Sequence, residues 1–185
     1  MLSQETVEEI RAAMRRYPRP RSGVLDALRA VQKQMGYCHP EAVAEAAAIM
    51  DMDPNTLQML VTFYDLFYEE PVGEHILMPC KNIACFLRGS DDLIQYMADK
   101  LGIKPGQTSP DGKFTLQPME CLAACDLAPM MIADEEYYGP LTKEKIDEII
   151  ETLRAVDNRP PGPVAGSNGH PRNGVPARGE EAHHG

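Results

Sequence analysis

Four of the five cysteines in this chain of 185 residues fall in two tight pairs. Cys80 and Cys85 stand in Pro-Cys-Lys-Asn-Ile-Ala-Cys, and Cys121 and Cys125 in Glu-Cys-Leu-Ala-Ala-Cys, with four and three residues between the members of each pair. Such gaps let two thiolates on one loop point at a common centre. Two such loops supply the four thiolates that a 2Fe–2S cluster or a structural zinc requires. Around them stand Ile83, Ala84, Phe86, Leu122, Ala123, Ala124, Leu127 and Ala128. These groups are small or apolar, with backbone amides available to sulfur, which suits a partly shielded redox cluster tuned by charge, burial and hydrogen bonds. Spacing and surroundings favour iron–sulfur over zinc, which stays open, and place a disulfide pair last. His75 is the histidine nearest either pair and reads as a satisfied or exposed strand residue. Cys38 stands alone and reads as a small buried or half-buried thiol.

Two sites this far apart in sequence need a fold that brings them together. The hydrophobic share of 43% and charged share of 25% are those of a soluble globular chain with room for one or two small domains. The formal net charge of −10 argues against nucleic-acid binding. No segment is apolar for long enough to span a membrane. The acidic start Met-Leu-Ser-Gln-Glu-Thr-Val-Glu-Glu resembles neither a signal nor a transit peptide. The chain therefore reads as cytosolic and of bacterial type, where clustered cysteines bind metal or do redox chemistry. No Ser–His–Asp or Cys–His arrangement and no Gly-rich strand-to-helix loop is present, so the chain reads as a relay with no nucleotide site of its own.

Residues 1–69 read as a small helical bundle. Val7, Ile10 and Met14 keep helical spacing until Tyr17-Pro18-Arg19-Pro20 breaks it. Ser22 is expected to cap a second helix through Val24, Leu25, Leu28, Val31 and Met35, stopped by Gly36. Pro40 opens a third, and Asp53-Pro54 a fourth. These helices would pack around Leu25, Leu28, Leu57 and Leu60. Aromatics concentrate from Phe63 to Tyr68, either as a docking surface or as a seam between domains. Glu69-Glu70-Pro71-Val72-Gly73 reads as a linker.

Residues 70–157 read as a second domain. A strand at His75–Met78 runs into Cys80, and Ser90 is expected to cap a helix from Asp91 to Leu101. A second strand at Lys113–Gln117 leads to Cys121. Strands at Pro129–Ala133 and Glu136–Tyr138 flank a tight Asp134-Glu135 turn, and Thr142 caps a last helix through Ile146, Ile149, Ile150 and Leu153. A helical crossover makes the first two strands parallel, so the cysteine pairs that follow them reach one edge of the sheet. The expected fold class is α/β: a helical bundle, then a thioredoxin-like domain with a mixed four-stranded sheet and flanking helices. Residues 158–185 are rich in Pro, Gly, Asn and Arg and read as a disordered tail, where His183 and His184 carry no site.

The residues also carry a resemblance. Tyr17-Pro18, Arg21-Ser22-Gly23-Val24-Leu25 and Val61-Thr62-Phe63-Tyr64 are followed by Cys80-Lys81-Asn82-Ile83-Ala84-Cys85-Phe86-Leu87-Arg88-Gly89-Ser90. Thr108-Ser109-Pro110-Asp111-Gly112-Lys113-Phe114-Thr115-Leu116 and Glu120-Cys121-Leu122-Ala123-Ala124-Cys125-Asp126-Leu127-Ala128-Pro129-Met130-Met131 complete it. In this order they resemble the NuoE subunit family of NADH:quinone oxidoreductase (respiratory complex I), a thioredoxin-like 2Fe–2S ferredoxin. The resemblance implies a 2Fe–2S cluster ligated by Cys80, Cys85, Cys121 and Cys125. It implies a NuoF-like flavoprotein partner that binds NADH and FMN, other peripheral-arm subunits, and a place on the cytoplasmic side of the inner membrane. The chain would be an electron-transfer subunit of an enzyme, not catalytic alone. An equivalent diaphorase subunit of an NAD-linked hydrogenase or formate dehydrogenase is the alternative, as is a zinc-stabilised structural subunit. Relatives commonly carry glycine where this chain has Ala123, so alanine there would be strained if the backbone needs a positive φ.

Overall fold

The structure is a computed structural model and describes residues 1–156; the expected tail over 158–185 lies outside them. Its first part is helical. Helix α1 (Gln4–Arg16) opens where Ser3 Oγ accepts from the Thr6 amide at 3.1 Å. Helix α2 (Val24–Met35) ends on Gly36 at φ 77°, a left-handed stop that glycine adopts without steric cost. Helix α3 (Pro40–Ile49) and α4 (Pro54–Phe63) both begin with proline, where the missing N–H costs no helical bond. Asp53 caps α4 through the Asn55 amide at 2.7 Å. Ile10, Leu28, Val31, Val43, Leu57 and Val61 form the buried core of this part.

Ser22 does not cap α2. It lies inside a 3₁₀ turn, Pro20–Gly23, and the helix is entered from Gly23 with no side-chain cap. Sterics account for this entry. A Cβ on Gly23 would lie 2.6 Å from the Ala13 carbonyl oxygen, so the corner between α1 and α2 closes only around a bare backbone.

The aromatic run divides. Phe67 and Tyr68 are buried, Phe67 within the helical core, whereas Phe63 and Leu66 are exposed. Gln32 fixes the end of this segment, donating from Nε2 to the Leu66 carbonyl and accepting the Tyr68 amide at 2.7 Å.

The second part is built on strands β1 (His75–Pro79), β2 (Phe114–Leu116), β3 (Met131–Ala133) and β4 (Glu136–Tyr138), in the order β2-β1-β3-β4. β1 and β2 are parallel, with His75 opposite Phe114 and Leu77 opposite Leu116. β3 runs antiparallel to β1 and forms a hairpin with β4. The crossover between β1 and β2 carries α5 (Ile83–Phe86) and α6 (Ser90–Leu101), and α7 (Lys143–Arg154) closes the domain. Leu77, Met97, Phe114, Leu116, Ile146 and Ile150 form its core, which is separate from that of the helices. Ser90 is the first residue of α6 rather than its cap; Gly89, at φ 85°, precedes it.

His75 is fully buried at the start of β1. Its Nδ1 meets the Asp134 carboxylate, whose other oxygen accepts the Ile76 amide at 3.2 Å. Asp134 and Glu135 turn the β3–β4 hairpin at φ 48° and 73°, the mirror-image geometry that matches strand twist.

Candidate metal centre

Strand β1 passes through Pro79 directly into Cys80, and the ladder continues one step beyond the named strands. Cys80 bridges Met119 in parallel fashion, Lys81 donates its amide to the Met119 carbonyl at 3.0 Å, and the Met119 amide donates to Pro79. The two cysteine loops therefore leave the same edge side by side, as parallel topology requires. On the other side of β1, the Cys80 amide donates to the Met130 carbonyl at 3.0 Å.

Each second cysteine sits on a short helical turn. Asn82 Oδ1 accepts the Ile83 amide at 2.8 Å and so starts α5, which carries Cys85. Cys125 opens a 3₁₀ turn, Cys125–Leu127, that leads into the cis peptide Ala128–Pro129. Gly139 lets this turn pack against the end of β4: a Cβ there would lie 2.2 Å from the Leu127 carbonyl oxygen. The short α5 is a feature that sequence reasoning missed, although an Asn three residues before a cysteine, at a strand end, is the signal for it.

The structure brings the four cysteines into one group. Cys80 and Cys85 are buried, at 4% and 2% exposure, while Cys121 and Cys125 face solvent. Burial pushes the Cys85 thiol above its ordinary value, and its hydrogen bond with Cys80 and the nearby Cys80 and Cys125 thiols add to this. A backbone hydrogen bond from Met130 acts the other way. Desolvation likewise raises Cys125, followed by its neighbours Cys121 and Cys80. Thiols whose ionisation is opposed by burial and then by their neighbours are the kind a cationic centre stabilises as thiolates. Ala84, Leu122, Ala124, Leu127, Ala128 and Met130 pack around them in a third apolar cluster.

The donor set fits a 2Fe–2S cluster. Among the described residues no three His, Cys, Asp or Glu side chains converge tightly enough to hold a single ion. A dinuclear cluster does not ask for that, since it spreads four thiolates over two irons. Cys38, by contrast, is fully buried in the helical core, its thiol 3.9 Å from the Leu28 carbonyl and 3.8 Å from Gln32 Oε1. His75 lies at the opposite end of β1 from Cys80, a satisfied strand residue as its position suggested.

Residues 10–154 match the family model of the thioredoxin-like 2Fe-2S ferredoxins. The chain belongs to this family. It is 41% identical over 150 residues to an NADH-quinone oxidoreductase subunit of Rhizobium meliloti (strain 1021), a match that covers 81% of this chain and 89% of that protein. It is 37% identical over 153 residues to the corresponding NADH-quinone oxidoreductase subunit of Escherichia coli (strain K12), covering 83% and 92%. Among solved structures, an NAD+-reducing NiFe-hydrogenase in the H2-reduced state shares the fold, with a TM-score of 0.65 at 22% identity. That match covers 72% of this chain and 22% of the hydrogenase chain.

Ala123 lies between the second pair of ligand candidates at φ 60°. The backbone there is in the left-handed region, where an L-residue is strained, and this chain meets it with alanine.

Proposed function

We propose that Cys80, Cys85, Cys121 and Cys125 ligate a 2Fe–2S cluster through which this chain serves as an electron-transfer subunit of NADH:quinone oxidoreductase. The observation that carries the reading is the convergence of two cysteine pairs, from two loops, at one edge of a parallel strand pair. Bound there, the cluster supplies one-electron transfer. The chain's own residues hold it: β1 and β2 fix the loops, α5 and the Cys125 turn aim the second thiol of each pair, and the apolar shell limits water on the buried side. The exposure of Cys121 and Cys125 leaves a short path to a donor.

The partner we infer is a NuoF-like flavoprotein whose FMN takes electrons from NADH. Relatives at 41% and 37% identity are subunits of NADH-quinone oxidoreductase, which supports that host over a hydrogenase or formate dehydrogenase. Among the described residues no helix is long and apolar enough to cross a membrane. A place in a peripheral arm on the cytoplasmic side of the membrane accords with that. The division into a helical part over 1–69 and a cluster-bearing part over 70–157 is supported by the two separate cores. The helical part offers Met59, Phe63 and Leu66 as exposed apolar groups for docking, while Phe67 and Tyr68 serve its own packing.

The test is a metal count with an absorption spectrum on the anaerobically purified chain. Two irons, two sulfides and a reddish-brown colour are expected, lost or strongly changed in Cys121→Ser and kept in Cys38→Ser. A colourless protein with one zinc would overturn the reading. NADH oxidation by the chain alone, without flavoprotein, would overturn the relay role.

A further inference from the structure

The two cysteine loops are joined by a side-chain bridge that the ligand set does not account for. Glu120 immediately precedes Cys121, and its carboxylate reaches across to the other loop. One oxygen lies 3.1 Å from Lys81 Nζ, and the second accepts from Asn82 Nδ2 at 3.3 Å. Lys81 immediately follows Cys80. Asn82 holds the start of α5 through the Ile83 amide, and α5 carries Cys85. Both oxygens of a single carboxylate therefore engage the loop of Cys80 and Cys85 while its backbone belongs to the loop of Cys121.

The bridge is a poor stabiliser of the fold as a whole. Lys81 is 47% and Glu120 74% exposed along their side chains, and exposed ion pairs contribute little to global stability. Its effect is local. It restrains the separation of two loops that a cluster must span, and outer groups that orient ligands tune both retention and potential. It also sets one positive and one negative charge next to the ligands. Reduction adds a negative charge to the cluster, so a nearby carboxylate disfavours it and a nearby ammonium favours it.

We propose that Glu120 is a positioning residue for the cluster, strapping the Cys121 loop to the Cys80–Cys85 loop through Lys81 and Asn82, and that the Lys81 and Glu120 charges act on the reduction potential in opposite senses and offset each other. This rests on the four cysteines being the ligands. The bridge predicts two patterns at once in the cluster-loaded full chain. Potentials move in opposite directions: Glu120→Gln raises the midpoint, Lys81→Met lowers it, and the double variant returns close to wild type. Retention moves in one direction: Glu120→Ala and Lys81→Met both lose the visible chromophore to a chelator several-fold faster. The reversed pair Lys81→Glu with Glu120→Lys recovers part of the retention, since it remakes the ion pair but a lysine at 120 cannot accept from Asn82. A merely structural role would not give potentials of opposite sign.

The measurements are an anaerobic redox titration followed by EPR and a chelator time course. Opposed potential shifts with faster loss in both single variants are the expected result. Potentials that stay at the wild-type value or move together, or retention unchanged in Glu120→Ala, overturn the proposal. A wild-type spectrum in Cys121→Ser would instead overturn the ligand reading beneath it, so the two failures are told apart.

Discussion

Replacing Ala123 by glycine should stabilise the protein. Ala123 is held at φ 60°, and its side chain is exposed, so removing the Cβ forfeits little packing. The left-handed region costs an L-residue roughly 1–2 kcal/mol relative to glycine. Against this, glycine loosens the unfolded chain, which costs roughly 0.4–1 kcal/mol. The net gain is about 0.5–1 kcal/mol, or a roughly two- to five-fold reduction in the unfolding equilibrium constant. Ala124 supplies an internal control. It sits at φ −120°, where alanine is unstrained, and packs on the apolar shell of the site. Glycine there gains no relief and loses at least the roughly 0.4–1 kcal/mol of the unfolded-state term. Urea unfolding of the reduced, metal-free protein, followed by circular dichroism, reads both variants. Adjacent alanine-to-glycine changes should shift stability in opposite directions. If Ala123→Gly destabilises as much as Ala124→Gly, residue 123 is not held at positive φ, and the reasoning fails.

Three further outcomes follow from the packing. Gly139→Ala must push the Leu127 backbone away, costing about 1–3 kcal/mol and releasing the cluster to chelators faster than wild type. Asp134→Ala strips the buried His75 ring and the Ile76 amide of an acceptor and should lower stability by about 1–3 kcal/mol in the same urea assay. Asp111 is held below its ordinary value of 3.8 by the Ser109 hydroxyl, then by the Lys113 amide and Arg154. Its folded-state pKa is depressed, so its stabilisation is present above the unfolded value and is lost as pH falls through the folded pKa. Stability titrated from neutral pH down to about pH 3 should therefore fall more steeply in wild type than in Asp111→Asn.

The candidate site is legible in the sequence because two different signals agree. Cysteine spacing announces a four-thiolate centre, and the strand–helix–strand order announces that Cys80 and Cys121 leave one sheet edge. Both depend on local pattern and on the parallel pairing that a helical crossover imposes. Ser22 and Ser90 depart from expectation for a common reason. Each is a good capping residue by type, but backbone geometry next to a glycine decides the entry: a 3₁₀ turn ending at Gly23, and a left-handed Gly89. The close approach of Gly23 to Ala13 is a tertiary fact that no local window contains. The aromatic run from Phe63 to Tyr68 is ambiguous in sequence because docking faces and core edges share a composition, and the fold splits it between the two.

The separate cores give the ligand arrangement a mechanical meaning. In the proposed ligand set Cys85 and Cys121 bound the segment that contains α6 and β2, so a cluster held from both ends would work as a staple across that segment. In the chain-entropy account a crosslink of this span removes unfolded-state freedom equivalent to about 3–4 kcal/mol. The helical part, with its own core, receives none of this. Loss of iron would then leave a lopsided molecule, firm in its first part and loosened in its second. Protease cutting between α6 and β2 would therefore report the cluster's presence without reference to its colour.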